Sequence, residues 1–449
     1  MAFNTLALLP AFDPFFKEQG FKDPTNVQRK VVPALLARKS VVVVSETGSG
    51  KTLSYVLPIM HMLKADELTH GPIALKSTPR AIILAPTREL AGQIYDVMKS
   101  VSHHVKLRVR LLTGGDSHAK TKSLGHSVYD VLVATPSRVK SAVKNKELSL
   151  GHVRTFVMDE ADNLFEMGFK KDIEMMLEEA DLSAMQLGFF TATLPPAFDE
   201  FLITRFADKK IERVMFEGSH RPQALIQTYN VRVEPEEKNR VVRMFLEKEA
   251  KGRGIIFTNQ KNQAEDIHKV IKEKMPTLKM RIIHGDMTAD ERADAIAAFQ
   301  NKKCQVLVAT DIAARGIDID DLMWVLNYGL PKTAIYYLHR CGRVGRGGKP
   351  GVVYNLVAPH DSKMIDEINQ AIRDQAHLQL EAIPAEKIKR QIPVGEVKKA
   401  QVRKPAEMKR EVRTTDQKSG RNAAKATAHH KARKATAGRM KRVRRVRAK

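Results

Sequence analysis

At 449 residues and 43% apolar content, the chain has room for two or three domains with real hydrophobic cores. The net charge of +25 is lopsided: residues 386–449 hold 23 Lys+Arg against 5 Asp+Glu, or +18, which leaves +7 elsewhere and points to a polyanionic partner, nucleic acid first. Two cysteines, Cys304 and Cys341, exclude a disulfide framework and lack metal-ligand spacing, and no apolar run approaches the ~18 residues of a membrane helix.

The N-terminus has no basic residue before Lys17, and its apolar patch at 6–9 stops at Pro10, so a signal or transit peptide is not expected. With the cysteine usage, this predicts a soluble, cytoplasmic protein without membrane contact; a monomer is expected. Short β-branched apolar runs then recur with helical-length spacers, at 41–44, 81–84, 131–134, 155–158 and 186–190, and again at 254–257, 280–283, 305–309, 323–326 and 352–357. Continuous rather than alternating hydrophobicity marks strands covered on both faces, hence parallel sheets with helical crossovers. The two series predict two α/β domains of similar size, 31–216 and 223–383, behind an N-terminal region 1–30. Their seam is expected near 217–222, where Gly218, Ser219, His220 and Pro222 cluster. In 384–449 Lys, Arg and Ala dominate. Such a composition cannot bury enough surface to offset its ordering entropy, so the tail is expected to be disordered, its Ala-rich part able to turn helical on RNA.

Two motifs carry the chemistry. Behind the four valines at 41–44 stand Ser45, Glu46, Thr47, Gly48, Ser49, Gly50, Lys51 and Thr52, followed by an apolar stretch. A strand–loop–helix of this kind aims backbone N–H groups and a helix N-terminus at phosphates. Lys51 adds a charge for the β- and γ-phosphates, and the Thr52 hydroxyl can ligate Mg²⁺. Residues 159–162 read DEAD and close the run 155–158, which leaves Asp159 and Glu160 at a strand's carboxyl end, where open α/β sheets put their ligands. Asp159 is expected to hold the Mg²⁺ shell with Thr52, largely through water, and Glu160 to polarise the attacking water. The bland alternatives are a chance P-loop string, with Ser45 where the general pattern has Gly, and an acidic helix N-cap. The pairing behind two buried-type strands favours hydrolysis of a nucleoside triphosphate.

Further motifs follow in order: GFKDPTNVQ at 20–28, PTREL at 86–90, GG at 114–115, TPSR at 135–138, TAT at 191–193, IFTN at 256–259, TDIAARGID at 310–318 and HRCGRVGR at 339–346. With SETGSGKT and DEAD they resemble the DEAD-box family of ATP-dependent RNA helicases over about residues 10–360. The resemblance implies an α/β fold of two RecA-like parallel-sheet domains in tandem, ATP and Mg²⁺ as cofactors, and RNA as partner.

Residue roles follow from it. Gln28 offers an amide donor and acceptor side by side for an adenine edge, and Phe21 can stack on the ring, which argues for ATP. Phe12 stands near the family's isolated aromatic; taken alone, this segment also reads as a helix N-terminus with a core Phe. Pro86, Thr87, Arg88, Gly114, Gly115, Thr135, Pro136 and Arg138 look like the RNA-facing residues of the first domain, suited to sugar-phosphate contact, although each motif alone could be an ordinary turn. Ser137 stands where the family has Gly. Thr310, Arg315 and Gly316 look like their counterparts in the second domain. Thr191, Ala192 and Thr193 occupy the place of the family's Ser-Ala-Thr, which couples hydrolysis to strand separation. By resemblance Arg343 and Arg346 are arginine fingers, Asp318 bonds the ribose, and His339 links the γ-phosphate site to Thr191–Thr193; a basic RNA-binding loop is the alternative. Ala289 stands where the family places Gln three residues before Arg292, so an RNA or interdomain contact is expected to be missing there.

The expected function is RNA-stimulated ATP hydrolysis coupled to local, non-processive duplex unwinding or remodelling of RNA–protein particles, with ribosomal or other RNP proteins as further partners. An ATP-gated RNA clamp and a DNA translocase on the same fold are the rival readings.

Overall fold

The computed structural model describes residues 3–46, 48–114, 126–216, 226–314, 322–331, 333–345 and 350–373. All of these belong to one compact unit, residues 1–382. The expected seam at 217–222 and the tail 384–449 lie outside the described residues.

The first sheet contains β1 (Ser40–Val44), β2 (Ala81–Leu84), β3 (Val109–Leu112), β4 (Val131–Ala134), β5 (Thr155–Asp159), β6 (Gln186–Thr191) and β7 (Ile211–Met215). Their order is β3-β4-β2-β5-β6-β1-β7, with every pairing parallel. The second sheet contains β8 (Ile226–Arg232), β9 (Gly254–Thr258), β10 (Met280–Ile283), β11 (Val306–Thr310), β12 (Trp324–Asn327) and β13 (Gly351–Val357). Its order is β10-β11-β9-β12-β13-β8, again parallel throughout.

Why the strands read as unbroken apolar runs is visible in the packing. Val41 and Val43 enter one core, with Val31, Leu35 and Ile59 of the covering helices, while Val42 and Val44 enter the opposite core with Leu164 and Phe198. In the second sheet Ile255 and Phe257 face one core and Ile256 the other. A strand's side chains alternate between faces, so helices on both faces require an apolar residue at every position.

Three strands lay outside the expected runs: β3, β7 and β8. Each is an edge strand with a single neighbour, and each carries polar residues. In β8 most residues are exposed, so the continuous-run criterion passes over it. No described helix is long and apolar enough to cross a membrane.

Candidate active site

Parallel strands with helical crossovers bring the described parts of those first-domain motifs that follow a strand to one edge of the sheet, at the strands' carboxyl ends. The loop after β1 leads into the helix Lys51–His70 through Gly50, whose φ of +90° only glycine adopts readily. A Cβ there would also stand 2.7 Å from Gln28 Nε2. Gln28 is buried and closes a capping box: its Oε1 accepts from Thr25 N–H at 2.9 Å while its own N–H donates to Thr25 Oγ1. Its Nε2 reaches the Gly50 carbonyl at 3.3 Å, so the segment expected to read adenine is tied to the phosphate loop. An amide retains one further donor and one further lone pair for an adenine edge.

Within the loop, Ser49 donates to the Glu46 carbonyl and pairs with the Ser45 hydroxyl, and the Lys51 ammonium donates to the carbonyls of Ser45 and Glu46 at 2.7 and 2.8 Å. Gly48 takes a φ of +79°. Phe21 is 39% exposed at the edge of a cluster with Phe3 and Phe15, which leaves ring surface available for stacking. Phe12 is fully buried against Phe16 and cannot stack on a base.

The DEAD residues sit where β5 ends. Asp159 is buried and accepts from the Tyr55 hydroxyl at 2.7 Å. Burial and the neighbouring Glu160 charge push its carboxyl up to about 6, against the opposing effects of Tyr55 and Lys51. Glu160 caps the helix Ala161–Glu166, with φ 46° and ψ 52°, and its Oε2 accepts from Asn163 Nδ2 at 2.8 Å. Asp162 is the junction. Its Oδ2 accepts from the Thr193 N–H and hydroxyl at 3.1 and 2.7 Å, and His339 Nε2 of the second domain lies 3.4 Å from the same oxygen. Thr191 joins by accepting from Asp162 N–H and donating to the Thr193 carbonyl, while its own carbonyl accepts from Ser45 N–H, so Thr191, Ala192 and Thr193 bridge the phosphate loop to DEAD. The expected link from His339 to Thr191–Thr193 therefore runs through Asp162.

Arg343 lies one turn past His339 and is 9% exposed. Arg340 serves the second domain's interior: Nε and Nη2 donate to Asp311, Nη1 to Asn327 and the Gly329 carbonyl, and Nη2 also to Asn259. Thr310 ends β11 directly before Asp311. In the first domain Arg88 packs on Gly114, where a Cβ would stand 2.9 Å from Arg88 Nη2. Pro86 is buried, and Thr87 caps the helix Arg88–Val105, its hydroxyl accepting from Leu90 N–H. Thr135 and Pro136 open the helix Pro136–Lys144, which carries Arg138, and the Ser137 hydroxyl donates to Asp172 at 3.4 Å. Thr47, Gly115, Arg315, Gly316, Asp318 and Arg346 lie outside the described residues.

A family model of DEAD/DEAH box helicases matches residues 25–201, and one of the helicase conserved C-terminal domain matches residues 237–348. The DEAD-box ATP-dependent RNA helicase RhpA of Helicobacter pylori is 33% identical over 84% of this chain and 74% of its own length. The ATP-dependent RNA helicase SrmB of Haemophilus influenzae is 31% identical over 82% of either chain. The chain belongs to the DEAD-box family of ATP-dependent RNA helicases. Among solved structures, S. cerevisiae Dbp5 bound to RNA and ADP BeF3 is 27% identical with a TM-score of 0.71, covering 83% of this chain and 93% of that one. The protein is thus an ATP-hydrolysing RNA helicase.

In this helicase, sequence reasoning missed Tyr55, Asn163, Asp162 as the junction, and the pair Arg292–Glu89. Asp162 had a signal in its place in DEAD, and Glu89 in its place in PTREL. Tyr55 and Asn163 sit on helices, where an aromatic or an amide reads as ordinary core or surface. An RNA or interdomain contact is expected to be missing at Ala289; three residues on, Arg292 Nε of the second domain lies 3.1 Å from Glu89 Oε1 of the PTREL motif.

Proposed function

We propose that this helicase unwinds short RNA duplexes locally, using an ATPase site completed by both domains. The observation that carries the reading is the His339–Asp162 contact, which joins a second-domain motif to the DEAD carboxylates. Lys51 would leave the Ser45 and Glu46 carbonyls for the β- and γ-phosphates, Glu160 would polarise the attacking water, and Arg343 would offset the charge that develops. Gln28 and Phe21 would select adenine.

The donors fit Mg²⁺: the Thr52 hydroxyl and the Asp159 carboxylate are hard oxygen ligands, and Asp159 stands in a charge conflict with Glu160 that a divalent cation relieves. When bound, Mg²⁺ would neutralise β- and γ-phosphate oxygens. RNA would lie across both domains through its phosphates and 2′-hydroxyls, without base reading. Closure around it would bend one strand out of duplex geometry. The basic tail would tether RNA, and a cytoplasmic, monomeric protein acting on ribosomal or other RNP assemblies suits its charge and cysteine content.

The test is a pair of variants. Glu160→Gln should keep ATP binding and abolish turnover, whereas Lys51→Ala should weaken binding as well, because the ammonium meets charge already present in the ground state. RNA-stimulated phosphate release by Glu160→Gln at the wild-type rate would sink the assignment.

A further inference from the structure

Glu160 stands at a backbone position that fixes where its side chain starts but not where it ends. Its φ of 46° and ψ of 52° lie in the left-handed region, which residues with a Cβ rarely adopt, and this turns the chain out of β5 into the helix Ala161–Glu166. The side chain then has three rotatable bonds before its carboxylate. Asn163 restrains it. Its Nδ2 donates to Glu160 Oε2 at 2.8 Å from the first turn of that helix. Asn163 is 4% exposed, its backbone N–H donates to Asp162 Oδ1, and its neighbours Asp162 and Leu164 are buried, so its backbone is fixed, while its buried Oδ1 finds no hydrogen-bond partner among the described residues. Rotating the amide by half a turn would set oxygen against carboxylate, so the donor must face Glu160.

We propose that Asn163 is the positioning residue for the Glu160 carboxylate: by holding Oε2 it orients the other oxygen toward the attacking water. The other two acids of the motif have donors of their own, Tyr55 on Asp159 and Thr193 on Asp162. Asn163 completes the set. The inference rests on the reading that Glu160 polarises the water. A misplaced base costs rate rather than nucleotide affinity, since the carboxylate's task belongs to the transition state.

The test uses the full-length protein and three substitutions: Asn163→Leu, similar in volume without a donor; Asn163→Asp, the same shape with an acceptor in place of the donor; and Asn163→Ala, which removes the donor without adding bulk. RNA-stimulated kcat, KM for ATP, melting temperature and binding of a fluorescent ATP analogue are measured beside Glu160→Gln. The expected result is a ~10²-fold loss of kcat in every variant that melts cooperatively, with KM for ATP and analogue binding unchanged. Wild-type kcat in a folded Asn163→Ala or Asn163→Asp enzyme, with Glu160→Gln inactive, overturns the role of Asn163 alone. A lowered melting temperature with kcat intact does the same, since that marks a merely structural amide. Wild-type turnover by Glu160→Gln overturns the reading of Glu160 and the inference with it.

Discussion

His339 Nε2 lies 3.4 Å from Asp162 Oδ2, and that one oxygen also accepts both the N–H and the hydroxyl of Thr193. Three motifs from two domains thus converge on a single buried atom. Burial alone would raise the Asp162 carboxyl, but the bonds from His339 and Thr193 outweigh it and hold the group well below the usual carboxylate range. Asp162 therefore stays an acceptor whenever the second domain presents His339.

His339→Ala removes that cross-domain partner while leaving the phosphate loop untouched. RNA-stimulated kcat should fall by about 5- to 150-fold, the range of a coupling of 1–3 kcal/mol. ATP affinity without RNA should not change. Steady-state ATPase with and without RNA, beside nucleotide titrations, checks both halves. Equal loss in both conditions would place His339 outside the coupling.

The Arg292–Glu89 pair makes a second bridge between the domains, with side chains only 18% and 21% exposed and Arg292 Nη2 also donating to the Ala313 carbonyl. A partly exposed pair of this kind is worth about 1 kcal/mol, and salt weakens it. Glu89→Ala and Arg292→Ala should each raise the RNA concentration for half-maximal ATPase, and the double variant should lose less than the sum of the two. Strict additivity in that cycle would show that the two residues do not act as a pair.

Much of this architecture was legible because parallel sheets leave a strong mark. The buried strands announce themselves as unbroken apolar runs, and SETGSGKT and DEAD each follow one of them. Edge strands β3, β7 and β8 leave no such mark, since a single neighbour and partial exposure permit polar residues. Long-range partners are the other blind spot. Tyr55 lies 104 residues before Asp159, and on an apolar helix its ring reads as core, which it also is. Arginine spacing in HRCGRVGR likewise does not reveal that Arg340 spends its donors on Asp311, Asn327, Gly329 and Asn259 within its own domain. Sequence shows which residues can do chemistry; the fold decides which of them face inward.

Asp130 gives the first domain a pH dependence. Its buried carboxylate accepts from Arg80 Nη2 at 2.8 Å and from Arg108 Nε and N–H at 2.9 Å each. Burial opposes its charge, but the Arg108 and Arg80 bonds prevail and lower its pKa. A depressed carboxyl stabilises the fold above its unfolded pKa of ~4, and that contribution is lost as pH falls through the folded value. Asp130→Asn strands the Arg80 guanidinium, itself 8% exposed, and should cost about 3–5 kcal/mol at pH 7. Melting temperatures of both proteins from pH 8 to pH 3 should converge below pH ~4. A gap constant across that range would mean that Asp130 contributes shape rather than charge.

The tail offers the last prediction. Residues 386–449 carry +18, and every residue assigned to the ATPase site precedes residue 347. A polycationic segment that binds RNA raises the local RNA concentration without touching the chemistry, so it should act on occupancy and not on maximal rate. Counterion release makes such binding salt-dependent, with a slope of ~0.7 per neutralised single-strand phosphate on a log–log plot. Deleting 386–449 should therefore raise the RNA concentration for half-maximal ATPase, flatten its salt dependence and leave kcat at saturating RNA near wild type. RNA titrations of full-length and truncated protein across a salt series decide the matter. Curves that overlay at every salt concentration rule out a tether and favour a tail that docks on a protein partner.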